Sequence, residues 1–598
     1  MPNSDGQHED LTNYKYMITK PIDQWEDLPL EQFKEEVFHL QRRIFGLSQT
    51  GNRKKTHRLQ KLLLSSFAAR CVAVYKVSEI NAGRNTAGID GEKRLTGPQK
   101  LRLAHDLDVH QDILPVRRVR IPKPGKSEQR PLGIPAMKDR ALQALITLAL
   151  EPEWEARFTP GTHGFRKGHK AHDAINIIRA SIQFSPKWVL DADIEKFFDR
   201  VDHEALLAKI DTFTILEQAI RRILKSGWME GGVTSATHEG TPQGGPLSPL
   251  LANIALCGLE TDLTEYFQQG TKRNARRPER MPVLVMYADD FVVLHKDRNI
   301  VTECREFISA WLVKMGLTIH PEKTRIMHTL DSETGSSGFS FLGHHIQQFH
   351  TGKHAVKTAF KQVFTRISPA PEAQARVYQR IAILIDKMLC GSPDRNAAFC
   401  AEEVLIPQLN AVIRGWSNYF RHCNAKHSFS RLDNQVWFKL WKALRSRHKK
   451  RGRTWTVHQF LKSSDGRWRF NCPSTKDDKE ARVMRLFAET PILKHMQLRK
   501  GKSYFDGDWA YWGTRLGNYP SVPLELTRLL KRQHGKCHCC HALFTRHDKL
   551  HVCTEWVSVE DKKKPVQRLM HLHCESQQRR LNSAAVKPAV DAASSPVR

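Results

Sequence analysis

The sequence lacks any apolar run long enough to cross a membrane. Its longest candidate, residues 141–150, is short and contains Gln143, whereas a transmembrane helix needs about 18 or more apolar residues. The N-terminal residues are acidic and contain neither the basic nor the apolar stretch of a secretory or transit signal. We therefore expect no such signal and no membrane partner.

Acidic residues are scarce relative to basic ones. The 598 residues include 94 Lys and Arg against 63 Asp and Glu, which gives a formal net charge of +31. An excess of this size favours a polyanionic partner, and binding to it would weaken steeply with salt. An anionic membrane surface is the alternative.

The length suggests about four domains.

Cysteines are few and unevenly placed. The 12 cysteines are scattered as far as Cys472 and then bunch between Cys537 and Cys574. This pattern is typical of a reducing compartment and one metal site, and it does not resemble a disulfide framework.

Two adjacent acids interrupt the most strand-like part of the chain. Residues 282–294 contain two apolar runs rich in β-branched residues, and between them stand Tyr287, Ala288, Asp289 and Asp290. The pattern predicts a buried β-hairpin whose turn presents two carboxylates. Because adjacent carboxylates are costly to bury unless cations neutralise them, it favours a metal site. A hairpin turn that is merely rich in Asp is the alternative.

A third acid lies upstream. Residues 188–199 form an apolar run that leads into Asp191 and Asp193, and then into Phe197 and Phe198. A strand with an acid at its end, beside a hairpin with two more, is the arrangement of a two-metal nucleotidyltransferase. Two divalent ions there would activate a 3′-hydroxyl and stabilise the leaving pyrophosphate. Hard oxygen ligands suit Mg²⁺.

Two further segments suit nucleotide binding. Residues 117–135 predict a basic strand, a Pro-Gly turn and a second strand, a hairpin whose Lys and Arg could grip phosphates. A solvated basic hairpin is the alternative. Residues 239–253 form a Gly/Pro-rich loop before an apolar helix, so that backbone can approach a nucleotide closely, with Gln243 over its sugar and base.

The order and spacing of these segments resemble those of reverse transcriptases, whose catalytic hairpin carries the Tyr-Ala-Asp-Asp signature. The resemblance implies that Asp193, Asp289 and Asp290 hold two catalytic Mg²⁺ ions, with Asp191 as the competing first ligand. It also implies roles for three residues toward the incoming dNTP. Lys123 and Arg130 would meet its triphosphate, and Phe198 would exclude a 2′-hydroxyl.

Aromatic residues alternate with cations farther along the chain. Residues 413–421, with Trp437, Trp441 and the basic run 445–453, suit RNA stacking and phosphate contact. A helical bundle with aromatic core stripes is the alternative. The segment resembles the thumb, or domain X, of group II intron-encoded reverse transcriptases (maturases), and residues 502–515 resemble their DNA-binding region.

The resemblance implies an α+β right-hand polymerase with fingers, palm and an α-helical thumb, followed by a basic, helical DNA-binding region and a small zinc-binding HNH-like module. The predicted order is a loose arm at 1–24, fingers and palm at 25–367, a linker at 368–372, the thumb at 373–470, the DNA-binding region at 471–525, the zinc module at 526–582 and a disordered tail at 583–598.

The zinc site is predicted from two closely spaced pairs. Cys537 and Cys540 form a C-x-x-C pair, and His571 and Cys574 form an H-x-x-C pair some thirty residues later. Together they predict one tetrahedral zinc site. Free buried cysteines are the alternative, and four neighbours could replace any one ligand: Cys539, His551, Cys553 and His573.

In intron-encoded proteins this position holds an HNH endonuclease, and the resemblance implies that its catalytic residues are missing here. Cys553 and Thr554 stand where the acid and the general base should be, and Glu575 stands where a metal-binding His should follow. Thr cannot accept a proton near neutral pH. We therefore expect a zinc fold without nuclease activity, unless a shifted alignment makes His551 or His573 the base.

By the same resemblance, the chain would be an RNA-directed DNA polymerase that binds its parent intron RNA, promotes splicing and copies the intron at a DNA target. Its partners would be intron RNA, target DNA and dNTPs, with a homodimer left open. It would act in the bacterial cytoplasm as a nucleoid-associated ribonucleoprotein. A splicing cofactor with a vestigial polymerase and a host-adopted reverse transcriptase are the alternatives.

Overall fold

The computed structural model describes residues 23–122, 129–237, 239–241, 243–269, 281–331, 337–351, 363–387, 398–464, 467–471, 483–559 and 562–577. Most of the predicted N-terminal arm and the whole predicted tail lie outside these ranges. Among the described residues, no helix is both long enough and apolar enough to span a bilayer.

The first described helices are amphipathic. They are α1 (Leu30–Gln49), α2 (Arg53–Ser65), α3 (Phe67–Tyr75) and α4 (Gly97–Asp106). The Asn52 side chain caps α2 by accepting a hydrogen bond from the Lys55 amide at 3.2 Å. Phe33, Val37 and Ile44 of α1 are buried, which follows their helical spacing.

The described residues contain two four-stranded sheets. The elements are β1 (Val116–Pro122), β2 (Gln129–Ile134), α5 (Met137–Glu155), α6 (Ala171–Ile182), β3 (Trp188–Asp193), α7 (Phe197–Arg200), α8 (His203–Ile210), α9 (Thr214–Leu224), β4 (Trp228–Glu230), β5 (Val233–Ser235), α10 (Ser248–Leu256), α11 (Leu259–Gln268), β6 (Val283–Tyr287), β7 (Asp290–His295), α12 (Arg298–Val313) and β8 (Arg325–His328). The first sheet has the order β2-β1-β4-β5. The second has the order β6-β7-β3-β8, and all its pairs are antiparallel.

The second sheet separates two hydrophobic cores. Along β3, Leu190 and Ala192 pack into a core shared with α1 to α5, whereas Val189 packs into another core. Because side chains alternate between the faces of a strand, Asp191 and Asp193 lie on the same face as Val189. That face is also the one covered by the later helices.

The later elements are β9 (Phe339–Phe341), β10 (His344–His350), β11 (Val363–Pro369), α13 (Pro371–Ile385), α14 (Ala398–Phe420), α15 (Lys426–Arg447), α16 (Arg453–Phe460), β12 (Leu461–Ser464) and β13 (Arg467–Phe470). The predicted linker at 368–372 is wrong. Strand β11 continues to Pro369, Ala370 is buried, and α13 begins at Pro371. Proline is favoured in the first turn of a helix, so the Pro-rich signal marks a strand-to-helix junction.

Most of the aromatic residues predicted to stack on RNA belong to the core. The rings of Trp416 and Phe420 lie 4.5 Å apart, and Trp416 also contacts Phe487 at 5.5 Å. Phe438, which is not among the predicted residues, is 67% exposed beside the ring of Trp437. The bundle with aromatic core stripes therefore describes residues 413–421.

The C-terminal region folds back onto the N-terminal helices. It contains α17 (Trp509–Leu516), α18 (Leu524–Arg532), β14 (Leu550–Val559) and β15 (Lys562–His571). Phe38 of α1 contacts Phe505 at 6.1 Å and Tyr519 at 5.2 Å. Residues 491–499 have no regular structure, so the region predicted as helical is helical only in part. The predicted boundary at 525/526 falls inside α18.

Candidate active site and metal centre

Three carboxylates meet at one end of the second sheet. In the register of β3 and β7, Asp193 lies directly opposite Asp290. Strands β6 and β7 form the predicted hairpin, closed by the pair Tyr287 and Asp290, so that Asp289 lies in its two-residue turn. Ala288 takes a left-handed φ of 57° there, as the first central position of such tight turns requires.

A neighbouring loop supports this turn. The amide of His163 donates to the Met286 carbonyl at 3.0 Å, and the Met286 amide donates to the Gly161 carbonyl at 2.8 Å. Gly164 lies so close that a Cβ on it would overlap the Ala288 amide and lie 2.9 Å from the Tyr287 carbonyl carbon. The loop therefore fixes the position of the turn that carries Asp289.

Burial and neighbouring carboxylates raise the pKa values of Asp289 and Asp290. Burial, followed by Asp289, Asp193 and Asp191, raises the pKa of Asp290 to about 7. Burial also raises the pKa of Asp289, with a contribution from Asp193. Such a cluster needs compensating positive charge, and three carboxylates offer the hard oxygen ligands that Mg²⁺ accepts. The residues present therefore fit a divalent cation.

Asp191 lies behind this group. It is opposite Val292 in β7 and opposite Arg325 in β8, two residue pairs farther from the turn than Asp193. Burial raises the pKa of Asp191 to about 6, and Arg325 opposes the rise. The geometry thus places Asp193 nearer to Asp289 and Asp290, although the assignment of ligands stays a prediction.

Lys323 is a site residue that sequence reasoning missed. Its Nζ forms an ion pair with Asp193 Oδ2. The loop that carries it is held by β3, because the His320 amide donates to the Asp193 carbonyl at 2.8 Å. An ammonium group thus provides part of the charge compensation that the acids need. Nothing in the local pattern around Lys323 predicts this long-range contact.

Two of the predicted dNTP residues touch each other. Arg130 Nε donates to Gln243 Oε1 at 2.8 Å, and the Gly133 amide donates to the Gln243 carbonyl at 2.7 Å. The positive charge of Arg130 opposes the rise that burial causes in the pKa of Asp289. Lys123 lies outside the described residues.

Phe198 lies in α7, directly after the strand of Asp193. Its ring is largely buried, and its carbonyl accepts a hydrogen bond from the Thr241 amide at 2.5 Å. Gly240 has a φ of 86°, and a Cβ there would lie 2.6 Å from the Phe198 carbonyl oxygen. The glycine-rich loop therefore packs tightly against the predicted sugar-sensing residue.

The four predicted zinc ligands converge. One ligand atom from each of Cys537, Cys540, His571 and Cys574 lies within 4.8 Å of all the others. His571 Nε2 lies 3.3 Å from Asp548 Oδ2, and a carboxylate partner of this kind orients a metal-binding imidazole. Burial raises the pKa of the Cys574 thiol to about 12, with the other two thiols adding to the rise. A bound cation would relieve that crowding, so the donor set fits Zn²⁺.

The alternative ligands are not part of this cluster of converging ligand atoms. Cys539 is exposed, Cys553 lies along β14, and His573 stacks on the ring of His571 at 4.9 Å. His551 Nδ1 instead lies 3.1 Å from Glu575 Oε2. Thr554 is exposed on β14, opposite Gln567.

Comparisons with known proteins agree with the geometry. Residues 121–346 match the model of reverse transcriptase (RNA-dependent DNA polymerase), 25–107 that of the N-terminal domain of reverse transcriptase, and 395–461 that of the group II intron maturase-specific domain. The matched segments contain the three acids and the whole of helices α1 to α4. They also contain the whole of α14 and α15.

Three relatives illustrate the similarity. Protein YkfC of Escherichia coli is 30% identical over 354 residues, which cover 52% of this chain and 88% of YkfC. The group II intron-encoded protein LtrA of Lactococcus lactis is 25% identical over 442 residues, or 63% of this chain and 71% of LtrA. A putative COX1/OXI3 intron 1 protein of Saccharomyces cerevisiae is 23% identical over 382 residues, which cover 55% of this chain and 45% of that protein.

Proposed function

The chain belongs to the family of group II intron-encoded reverse transcriptases and maturases, and from this premise we propose that it copies RNA into DNA by a two-metal mechanism. We further propose that it binds a group II intron RNA, promotes its splicing and supports its mobility by target-primed reverse transcription. The observation that carries the proposal is the pairing of Asp193 with Asp290, beside Asp289 in the turn.

In this mechanism Asp193, Asp289 and Asp290 hold two Mg²⁺ ions. The chemistry that the bound ions supply is activation of the primer 3′-hydroxyl and stabilisation of the leaving pyrophosphate. The chain's own contribution is rigid placement. The hairpin register and the loop with Gly164 fix the carboxylates before substrate arrives, which lowers the cost of reaching a reactive geometry.

The dNTP would bind between the first sheet and these acids. The Arg130 guanidinium, which donates a hydrogen bond to Gln243, would contact its phosphates. Phe198 would lie under the sugar and leave no room for a 2′-hydroxyl. Lys123 is proposed as a second phosphate ligand by its place in the sequence alone.

The maturase function would use the thumb. The exposed ring of Phe438 lies on α15, whose last residues begin the basic run 445–453. An aromatic ring with adjacent cations can stack on an unpaired base while it neutralises phosphates. This surface is our candidate for contact with intron RNA.

We propose that the zinc module has no second-strand nuclease activity. Thr554 has no basic group to accept a proton, and Glu575 is paired with His551. Metal-dependent nicking of a supercoiled plasmid by the purified chain would contradict this proposal. The same assay on His551→Ala would show whether that residue is responsible.

The polymerase proposal is tested by primer extension on an RNA template with Mg²⁺ and dNTPs. We expect the wild type to extend the primer and the variant Asp289→Asn/Asp290→Asn to fail. A folded wild type that binds RNA but does not extend would instead favour a splicing cofactor.

A further inference from the structure

A trough runs across the molecule away from the catalytic turn. It consists of three cavities of about 1000, 530 and 440 Å³. The first and second share Pro160, Ile177 and Lys500 in their walls, and the second and third share Gln497, Arg499 and Lys502. Residues 496–503 thus form one continuous side of the trough, from the second sheet to the zinc module.

The trough begins at the opposite end of the sheet from the acids. Its first cavity is lined by residues 281–284, where β6 begins, and by residues 295–297, where β7 ends. Asp289 and Asp290 lie at the other end of the same two strands. A five-residue strand spans about 17 Å at its usual rise, so the trough is separate from the polymerase site.

The uncompensated charge of the trough is positive. Four exposed cations line it without a carboxylate partner among the residues that the structure describes: Lys296, Arg499, Lys500 and Arg546. Three of the five acids in its walls are in ion pairs: Glu155 pairs with Arg166, Asp173 with Arg515, and Asp508 with Lys502. Glu260 and Asp297 accept hydrogen bonds from the Gly161 and Asn299 amides, which leave their negative charge in place, so the four exposed cations outnumber these two acids.

The middle cavity also contains unsatisfied polar atoms. His163 and His169 line it, both are almost fully buried, and the Nε2 atom of each has no hydrogen-bond partner within the described ranges. Phe45 and Phe158 line the same cavity. An imidazole can hydrogen-bond the edge of a base, and an aromatic ring can stack on its face.

We propose that this trough binds a single-stranded nucleic-acid segment outside the polymerase site. Its phosphates would lie along the exposed cations, and its bases would enter the cavities. A duplex keeps its bases stacked inside and would touch only the rim. This proposal rests on the proposed function, because it assumes that the chain acts on nucleic acid. It adds a second nucleic-acid-binding site to the polymerase site.

The test uses the full chain with its polymerase site saturated by an unlabelled template–primer duplex. The variant Lys296→Glu/Arg499→Glu/Lys500→Glu is compared with Lys93→Glu/Arg305→Glu/Lys314→Glu, which reverses three exposed cations outside the trough. Fluorescence anisotropy then gives the Kd for labelled single strands of RNA and of DNA with one sequence. We expect the trough variant to bind at least about tenfold more weakly than the control, and its slope of log K against log salt to be smaller by about 2.

A loss with both strands indicates a general single-strand site, and a loss with one strand identifies the ligand. Equal binding by the two variants would overturn the proposal, as would displacement of the strand by polyglutamate or tighter binding of a labelled duplex. Primer extension by the wild type reports the proposed function separately. If the wild type binds a strand through the trough but extends no primer, the proposed trough site is supported and the proposed polymerase activity is contradicted.

Discussion

Arg515 Nη2 and Asp173 Oδ2 lie 2.5 Å apart, and both side chains are 1% exposed. Asp173 stands at the start of α6 beside the catalytic sheet, and Arg515 stands in α17 of the C-terminal region. His495 Nε2 binds the other carboxylate oxygen at 2.9 Å. These contacts hold the pKa of Asp173 far below its usual range although burial alone would raise it. The pair thus links the C-terminal region to the helix that lies beside the catalytic sheet.

Breaking this pair should destabilise the chain strongly. Asp173→Asn leaves the Arg515 guanidinium buried without its counter-charge, which typically costs about 3–5 kcal/mol. Urea unfolding followed by tryptophan fluorescence measures the change. The control is Glu31→Gln, which removes an exposed ion pair with Lys34 and should cost at most about 1 kcal/mol. Similar midpoints for the two variants would show that the pair does not hold the regions together.

Gly164→Ala should slow catalysis without unfolding the protein. The added methyl group would push the backbone of Ala288 and move the carboxylates of the turn. Displacements of about 1 Å can cost roughly a hundredfold in rate, and we expect a loss of that order in single-turnover primer extension. Gly46→Ala is the matched control, because nothing lies within 4 Å of its new Cβ. Equal rates for the two variants would mean that the loop with Gly164 does not position the catalytic carboxylates.

Stability should fall as the pH drops from about 6.5 toward 4. Burial lowers the pKa of His172 and of His344 to about 4 each, and His422 faces both of them. Because each folded-state pKa lies below the unfolded value, the unfolded chain binds more protons in this window. Each histidine then contributes up to about 1.4 kcal/mol per pH unit. Unfolding midpoints at pH 7.5 and pH 5 measure the effect.

His344→Phe should make that pH dependence shallower, since it keeps a ring among its neighbours but removes one titrating group. The control is His427→Phe, whose side chain is exposed and should leave the wild-type slope intact. An unchanged slope for the His344 variant would mean that other groups dominate the acid sensitivity.

The zinc site can be separated from its neighbours by a pair of adjacent cysteines. Cys540→Ser should lose the zinc, because Cys540 belongs to the converging cluster, whereas Cys539→Ser should keep one zinc per chain. The zinc content per chain of each purified variant, measured by metal analysis, tests this prediction. Loss of zinc from both variants, or from neither, would mean that the ligand set is different.

Local sequence patterns predict the parts of the site that depend on short segments. The catalytic hairpin and the two zinc-ligand pairs could be located because each depends on alternation or on fixed spacing within a few residues. The contacts of Lys323 with Asp193 and of Arg515 with Asp173 join distant segments, and no local pattern specifies them. The Pro-rich junction before α13 was misjudged because proline marks both linkers and helix starts.

The central claim is that Asp193, with Asp289 and Asp290, forms the polymerase centre. Single-turnover extension of a primer on an RNA template should be measured for Asp193→Asn and Asp191→Asn, with template–primer binding as the check on folding. We predict a loss of at least about a hundredfold for Asp193→Asn and retained extension for Asp191→Asn. Wild-type extension by the Asp193 variant, or an equal loss in the Asp191 variant, would contradict the account.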